Sequence, residues 1–156
     1  MAEREELGAG SFMVRTPRGT ATFKRHTPRV LEMKYSGFAD LELVEPIMQE
    51  MVAVLEQEQG VHGFSDLREL DGYQPELWAK AQEWLMRHRS RMAGNYVLQR
   101  SEAVAMGTRL LNLFLSNALL AYAKPADFQR KLRECKGASV EGKADPAGAG
   151  AAGLKG

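Results

Sequence analysis

The most constraining feature of this sequence is a regular alternation of short strand-like runs with segments of helical periodicity. Runs typical of buried strands occur at 30–35, 61–67, 96–99 and 121–124, and a helix-length segment follows each of them. A helix between two neighbouring strands returns the chain to the same end of a sheet, which makes those strands parallel. The pattern therefore predicts an α/β fold with a partly parallel sheet and about four helices.

The two ends of the chain differ from this pattern. Residues 11–15 and 20–26 are β-like and flank Thr16-Pro17-Arg18-Gly19, a turn sequence, so we expect an antiparallel hairpin at the start of a mixed sheet. Residues 1–10 are charged and are expected to form a flexible arm. Residues 136–156 are mostly Gly and Ala and are predicted to be a disordered tail. A single domain over 11–135 follows.

Charge and apolar content exclude several classes of protein. The net charge of +1 gives no reason to expect nucleic acid as a partner. The amino end lacks an apolar signal region, and the longest apolar stretch, 110–123, is too short and too interrupted to span a bilayer. We therefore expect a cytoplasmic protein without an integral membrane segment. The segment 40–66 is acidic and 80–100 is basic, which indicates either two faces of opposite sign or two ordinary solvated helices.

The residues that usually carry catalysis are sparse. His26, His62 and His88 are too far apart for a local metal motif, and the single cysteine, Cys135, lies near a predicted helix C-terminus, where its pKa is not lowered. Nucleophile-elbow, phosphate-loop and dinucleotide-binding motifs are absent from the sequence. We expect no enzymatic activity, no cofactor and no metal site.

Two predicted loops have a geometric reason to form a binding site. Ligands of parallel α/β proteins gather beyond the carboxyl ends of the strands. Arg100, beside a helix N-terminus, could bind an anion, whereas the alternative is that an aspartate pairs with an arginine and fixes the loop. The candidate residues of the two loops are Asp66, Arg68, Asp71, Tyr73, Arg100 and Ser101, of which Ser101 is also a suitable helix cap.

A second candidate is the third predicted helix, 102–120, which is apolar around nearly its whole circumference. Such a helix must be buried on more than one side. Three explanations stay open: a position in the core, an interface with a partner or a second copy, or the wall of a lipid-lined pocket. Small residues such as Gly107 would permit close approach of another element. The candidate interface residues are Gly107, Leu110, Leu113 and Phe114.

The order of these segments resembles a known family when particular residues are added. The resemblance rests on 64–70 (FSDLREL) running into 71–73 (DGY), then on Trp84, 96–98, 101–107, 121–122 and 126–128. These pieces resemble the STAS-like superfamily, in its SpoIIAA-like branch with the anti-sigma-factor-antagonist fold. The resemblance covers about residues 12–135.

The resemblance implies a binding protein. Members of the superfamily are mostly non-enzymatic partners of anti-sigma factors, cytoplasmic parts of anion transporters, or relatives of lipid carriers. Switch members carry an Asp-Ser pair at the position of Asp71-Gly72, so the phospho-acceptor serine is absent here. We expect a protein–protein interaction module in a bacterial-type signalling or regulatory complex, bound to another protein or to itself as a homodimer. The alternative is a small-molecule or lipid carrier with a pocket beside the third helix.

Overall fold

The computed structural model of the chain describes residues 2–115 and 119–141, with no account of the side chains at 103, 110, 111, 113–115 and 139–141. The strands are β1 (Glu3–Gly8), β2 (Ser11–Arg15), β3 (Gly19–Thr27), β4 (Val30–Ala39), β5 (Val61–Tyr73), β6 (Met92–Leu98) and β7 (Leu120–Tyr122). The helices are α1 (Leu41–Gln57), α2 (Glu76–His88), α3 (Glu102–Leu115) and α4 (Pro125–Glu141), and a 3₁₀ turn (Arg89–Arg91) joins α2 to β6.

All seven strands form a single mixed sheet in which they follow their order in the sequence, β1 to β7. The pairs β1–β2, β2–β3 and β3–β4 are antiparallel. The pairs β4–β5, β5–β6 and β6–β7 are parallel. The reason is the connection between them: tight turns join the first four strands, and a helix precedes each later strand. The predicted fold class is therefore confirmed, including the N-terminal hairpin.

Successive side chains of β4 point to opposite faces of the sheet and belong to two different cores. Leu31 and Met33 belong to a first core with Leu43 and Ile47 of α1, whereas Val30 points the other way. A second core lies on that opposite face, where α4 covers the parallel strands. Its buried members are Val30, Phe64, Tyr96, Leu98, Phe128, Leu132 and Cys135.

The start of α1 is set by its cap. The carboxylate of Asp40 accepts a hydrogen bond from the Leu43 backbone N–H at 3.0 Å, as the sequence predicts. The cap begins the helix at Leu41. Pro46 lies inside the helix, where it removes one backbone donor.

The expected flexible arm over 1–10 is wrong for residues 3–8. These residues form β1 and pair antiparallel with β2, with Glu3 opposite Arg15. Arg15 donates to Glu5 at 2.8 Å, and the guanidinium of Arg4 stacks over the Phe12 ring at 3.7 Å. Because every residue of β1 is exposed, the strand has no apolar alternation for a sequence pattern to detect.

The predicted turn at 70–73 is also wrong, because β5 continues through Tyr73. It does so by pairing with an extension of β4, in which Phe38 lies opposite Gly72 and Ala39 opposite Tyr73. Two register shifts allow this pairing, and Gly37 between them has a φ of 81° that favours glycine. The residues expected on a loop therefore lie on a strand.

The ends of α2 and α4 differ less from the predicted pattern. The helix α2 ends at His88, and β6 begins at Met92, before the predicted start of this strand at 96. The helix α4 runs to Glu141, past the predicted tail start at 136. Residues 142–156 lie outside the described part of the chain, so disorder there stays a prediction.

Candidate functional site

The first predicted loop is held by an ion pair within β5. Asp66 is buried, and Arg68, two residues along the strand, lies on the same face. Arg68 donates from Nε to Oδ1 at 3.0 Å, from Nη2 to Oδ2 at 2.8 Å and from its backbone N–H to Oδ1 at 3.1 Å. The bidentate geometry uses both carboxylate oxygens, which agrees with the alternative that an arginine pairs with the aspartate and fixes the segment.

The electrostatics of this pair favour the charged form of Asp66. Burial by itself would raise the pKa of the carboxyl, but the hydrogen bonds and charge of Arg68, with a smaller contribution from Lys34, lower it below its usual value. The pKa of Arg68 is raised in turn, first by its hydrogen bonds to Asp66. Asp66 is therefore an ionised structural group and is not a proton donor at neutral pH.

The other two candidate residues on β5, Asp71 and Tyr73, lie in different surroundings. Asp71 is exposed on the strand extension. Tyr73 packs its ring edge-on against Trp78 of α2, with centroids 5.2 Å apart, and lines the internal cavity described below. The pair Asp66–Arg68 and Tyr73 therefore lie on one strand without forming one site.

The second predicted loop, after β6, contains a confirmed cap. Ser101 Oγ accepts from the Val104 backbone N–H at 3.1 Å and so begins α3. Arg100 is exposed, and within the described chain it forms no hydrogen bond or ion pair. Asp66 and Leu98 are partners in the β5–β6 register, which places both loops at one sheet edge, as expected. The described residues show no contact between Arg100 and the Asp66–Arg68 pair.

The helix α3 is packed against α2 at the one candidate residue whose surroundings are described. Gly107 is buried, and a Cβ atom there would overlap the indole ring of Trp78. The close approach that a small residue permits is therefore made within this chain. The side chains of Leu110, Leu113 and Phe114 lie outside the described residues, so an interface at those positions stays a prediction.

Between α1, α2 and the sheet lies an internal cavity of about 190 Å³. Its floor is formed by the first-core face of β4, β5 and β6, and α1 and α2 form its roof. Val104 of α3 also lines the cavity, and the other described wall residues above the sheet belong to α1 and α2. The walls are chiefly apolar and include Met33, Met51, Leu67, Leu77, Leu85 and both tryptophans, Trp78 and Trp84.

Besides Tyr73, three polar side chains interrupt these apolar walls: Tyr35 on β4, Ser65 on β5 and Asn95 on β6. Among the described residues, none of the three forms a hydrogen bond with its side chain. In the strand register Ser65 lies between the other two, because its partner Met33 is two residues from Tyr35 and Asn95 pairs with Gly63, two residues from Ser65. The sequence analysis missed these residues, although a serine at a core-facing position of a buried strand was a detectable signal.

On the opposite face of the sheet, Cys135 of α4 lies close to His62 and Tyr96. Cys135 Sγ is 3.5 Å and the Tyr96 hydroxyl is 3.0 Å from His62 Nδ1. Burial raises the pKa of the Cys135 thiol, while burial and the charge of Lys131 lower the pKa of His62 to about 4. Thiol and imidazole are therefore both neutral at neutral pH, and the pair lacks the thiolate that nucleophilic catalysis requires.

Neither a cluster of metal ligands nor a membrane-spanning helix is found in the described residues. Over 2–115 and 119–141, no three His, Cys, Asp or Glu side chains come close enough together to hold a metal ion. In the same ranges, no helix is both long and apolar enough to cross a membrane.

Comparisons with known proteins give structural neighbours and no sequence family. No family model and no curated protein matches the chain. Among solved structures, one that is similar is an uncharacterized protein of the DUF3478 family with a SpoIIAA-like fold from Shewanella loihica. It is 15% identical, with a TM-score of 0.54, and the match covers 85% of this chain and 95% of that one.

A second similar structure is an anti-sigma factor antagonist from Mycobacterium paratuberculosis. It is 18% identical with a TM-score of 0.54, and the match covers 76% of this chain and 97% of the other. Identities this low establish the fold and nothing finer. The chain therefore has the SpoIIAA-like fold that its sequence resembled.

Proposed function

We propose that this protein is a non-enzymatic binding module that acts through another protein in a regulatory complex. The observation that carries the proposal is the shared fold with an anti-sigma factor antagonist, along nearly the whole of that protein. Fold likeness by itself is an argument by analogy, so the residues of this chain have to agree with it.

The titratable clusters agree with a binding role. Asp66 is engaged in a bidentate ion pair, and His62 and Cys135 are neutral neighbours behind α4. A catalytic site would need a base or nucleophile with a pKa matched to its task in an accessible cleft. No histidine, cysteine or carboxylate is found among the described residues that line the cavity beside α2.

Regulation by phosphate at the family position is not part of the proposal. Asp71 lies within β5, Gly72 and Tyr73 are paired with β4, and the acceptor serine is missing from the sequence. The nearest serine along β5, Ser65, lies in the cavity floor beneath α1 and α2. We therefore expect complex formation to be independent of phosphorylation on β5.

The test is to purify the tagged protein from its native host and to determine the mass of the complex by native mass spectrometry and light scattering. Exposed apolar side chains are the natural anchors for a partner, and Met86 and Met106 are 63% and 54% exposed. We expect Met86→Lys or Met106→Lys to lose the partner with an unchanged melting temperature, and Ala138→Lys, exposed on α4 at the opposite face of the sheet, to keep it. A monomer under all conditions would contradict the proposal.

A second candidate function, a small-molecule carrier, is favoured by one specific observation. The cavity beside α2 is large enough to hold a ligand and combines apolar walls with a few polar groups, which is the usual make-up of a ligand site. Native mass spectrometry of the purified protein tests this function as well, because a carrier would retain a bound molecule of low mass.

A further inference from the structure

We propose that the cavity between α1, α2 and the sheet binds a small, neutral, largely apolar molecule that carries one hydroxyl, carbonyl or amide group. The inference rests on the second candidate function and is independent of the proposed protein partner. Size, polarity, charge and access each limit what this cavity can accept.

The volume of the cavity sets the size of the ligand. An engineered apolar cavity of about 150 Å³ in another protein binds benzene, whereas drug-sized ligands occupy about 300–1,000 Å³. At about 190 Å³, the present cavity fits a substituted single ring or a short branched chain. A long acyl chain would not fit without movement of a helix.

The polarity of the walls sets the composition of the ligand. Most of the lining is aliphatic or aromatic, so most of the ligand must be apolar to gain from leaving water. On the floor, Tyr35, Ser65 and Asn95 keep unused hydrogen-bonding capacity toward other described residues. Hydroxyl and amide groups both donate and accept, and they would pair with one polar group of the ligand.

The described lining offers no charged group to pair with a charged ligand, so we expect the ligand to be neutral. Among the described residues that line the cavity there is no lysine, arginine, histidine, aspartate or glutamate. Burial raises the pKa of Tyr35, so its side chain stays an uncharged phenol. An anionic or cationic ligand would lose its hydration there and gain no counter-charge.

Access to the cavity is between α1 and α2. Met48 of α1 and Trp84 of α2 line both the cavity and an outer groove between these two helices. The rim of the groove is charged, and Lys80 lies 3.9 Å from Glu45 across it. These two long side chains are half-exposed, so their pairing holds the helices together weakly. Met48 and Trp84 are therefore the side chains that a ligand has to pass.

Two tryptophan side chains in the cavity wall can report on ligand binding. The chain contains two tryptophans, Trp78 and Trp84, and both line the cavity. Their Nε1 atoms are buried and find no hydrogen-bond partner in the described part of the chain, which is unusual for an indole N–H group in a folded protein. Both indole N–H signals in a nitrogen–proton correlation spectrum therefore monitor occupation of this one space.

The experiment titrates the full-length protein with three probes of nearly equal size while both indole signals are recorded. Acetophenone carries a carbonyl, cumene has the same shape without it, and benzoate carries a negative charge. We expect saturable shifts with acetophenone, binding of cumene weaker by about threefold to tenfold because one hydrogen bond is lost, and no binding of benzoate.

Four variants assign the binding to the cavity. Ala81→Leu fills the cavity from α2, whereas Ala79→Leu adds the same atoms on the exposed side of that helix. We expect the first to abolish acetophenone binding and the second to retain it. Ser65→Ala should reduce the preference for acetophenone over cumene. Val44→Phe is a second filling variant from α1, in case Ala81→Leu does not fold.

The outcomes separate the two proposals. Equal binding of cumene and acetophenone, or tight binding of benzoate, would overturn the ligand class while leaving a carrier function intact. Unshifted indole signals with all three probes, or an Ala81→Leu variant that binds like the wild type, would overturn the cavity site itself. Neither result bears on partner capture, which is measured separately.

Discussion

Gly107 of α3 lies directly against the indole ring of Trp78 on α2, in a position where a Cβ atom would overlap the ring. The glycine thus determines how closely the two helices pack, and α2 in turn forms the roof of the cavity. A residue that sequence patterns place on a possible interface is in this way linked to the candidate ligand site.

Replacing two helical glycines by alanine should therefore change the free energy of unfolding in opposite directions. Gly107→Ala forces the Trp78 ring to move and should lower the free energy of unfolding by about 1–3 kcal/mol. Gly137→Ala in α4 is the matched control, because nothing lies within 4 Å of the added Cβ atom, and it should raise stability by about 0.5–1 kcal/mol. Urea unfolding measures both. A stabilised Gly107→Ala variant would contradict the packing described.

Loss of the buried carboxylate should cost more than loss of an exposed one on the same strand. Asp66→Asn weakens three hydrogen bonds from Arg68, and we expect a loss of about 1–3 kcal/mol. Glu69→Gln removes an exposed pair with Lys34, at 3.5 Å, and should change stability by less than about 1 kcal/mol. Equal effects of the two changes in chemical denaturation would show that the Asp66 pair is not structural.

Stability should fall on acidification because of His62. Its pKa is lowered from 6.5 to about 4 by burial and by the charge of Lys131, so the unfolded chain binds the proton more tightly than the folded protein. The contribution of neutral His62 is complete above pH 6.5 and is lost as the pH falls toward 4. His62→Gln should remove about 1–3 kcal/mol of this pH dependence, after allowance for partial exposure of the ring. Parallel slopes for the variant and the wild type over this window would refute the assignment.

Removal of residues 142–156 should leave the fold intact. This segment is mostly Gly and Ala and has almost no side chain that could join a core. We expect the melting temperature of the truncated chain to stay within about two degrees of that of the full chain, as measured by calorimetry. A loss of several degrees would show that the segment packs against the domain.

The sequence by itself determined the features that depend on neighbouring residues. The cap at Asp40, the cap at Ser101 and the turn before Gly19 are each formed by hydrogen bonds within a few residues, so local residue types predict them. The order of strand-like and helical segments likewise predicted the mixed sheet, because a connecting helix makes two adjacent strands parallel.

Only the tertiary structure decided what depends on distant partners. β1 exists because β2 offers an edge for pairing, and β5 extends through Tyr73 because β4 continues beside it. His62 meets Cys135 across 73 positions of sequence, and the cavity arises from the distance at which α2 packs over the sheet. No local window contains both members of such contacts. Periodicity can show which face of an element is buried, but the neighbour that covers it is fixed when the chain folds.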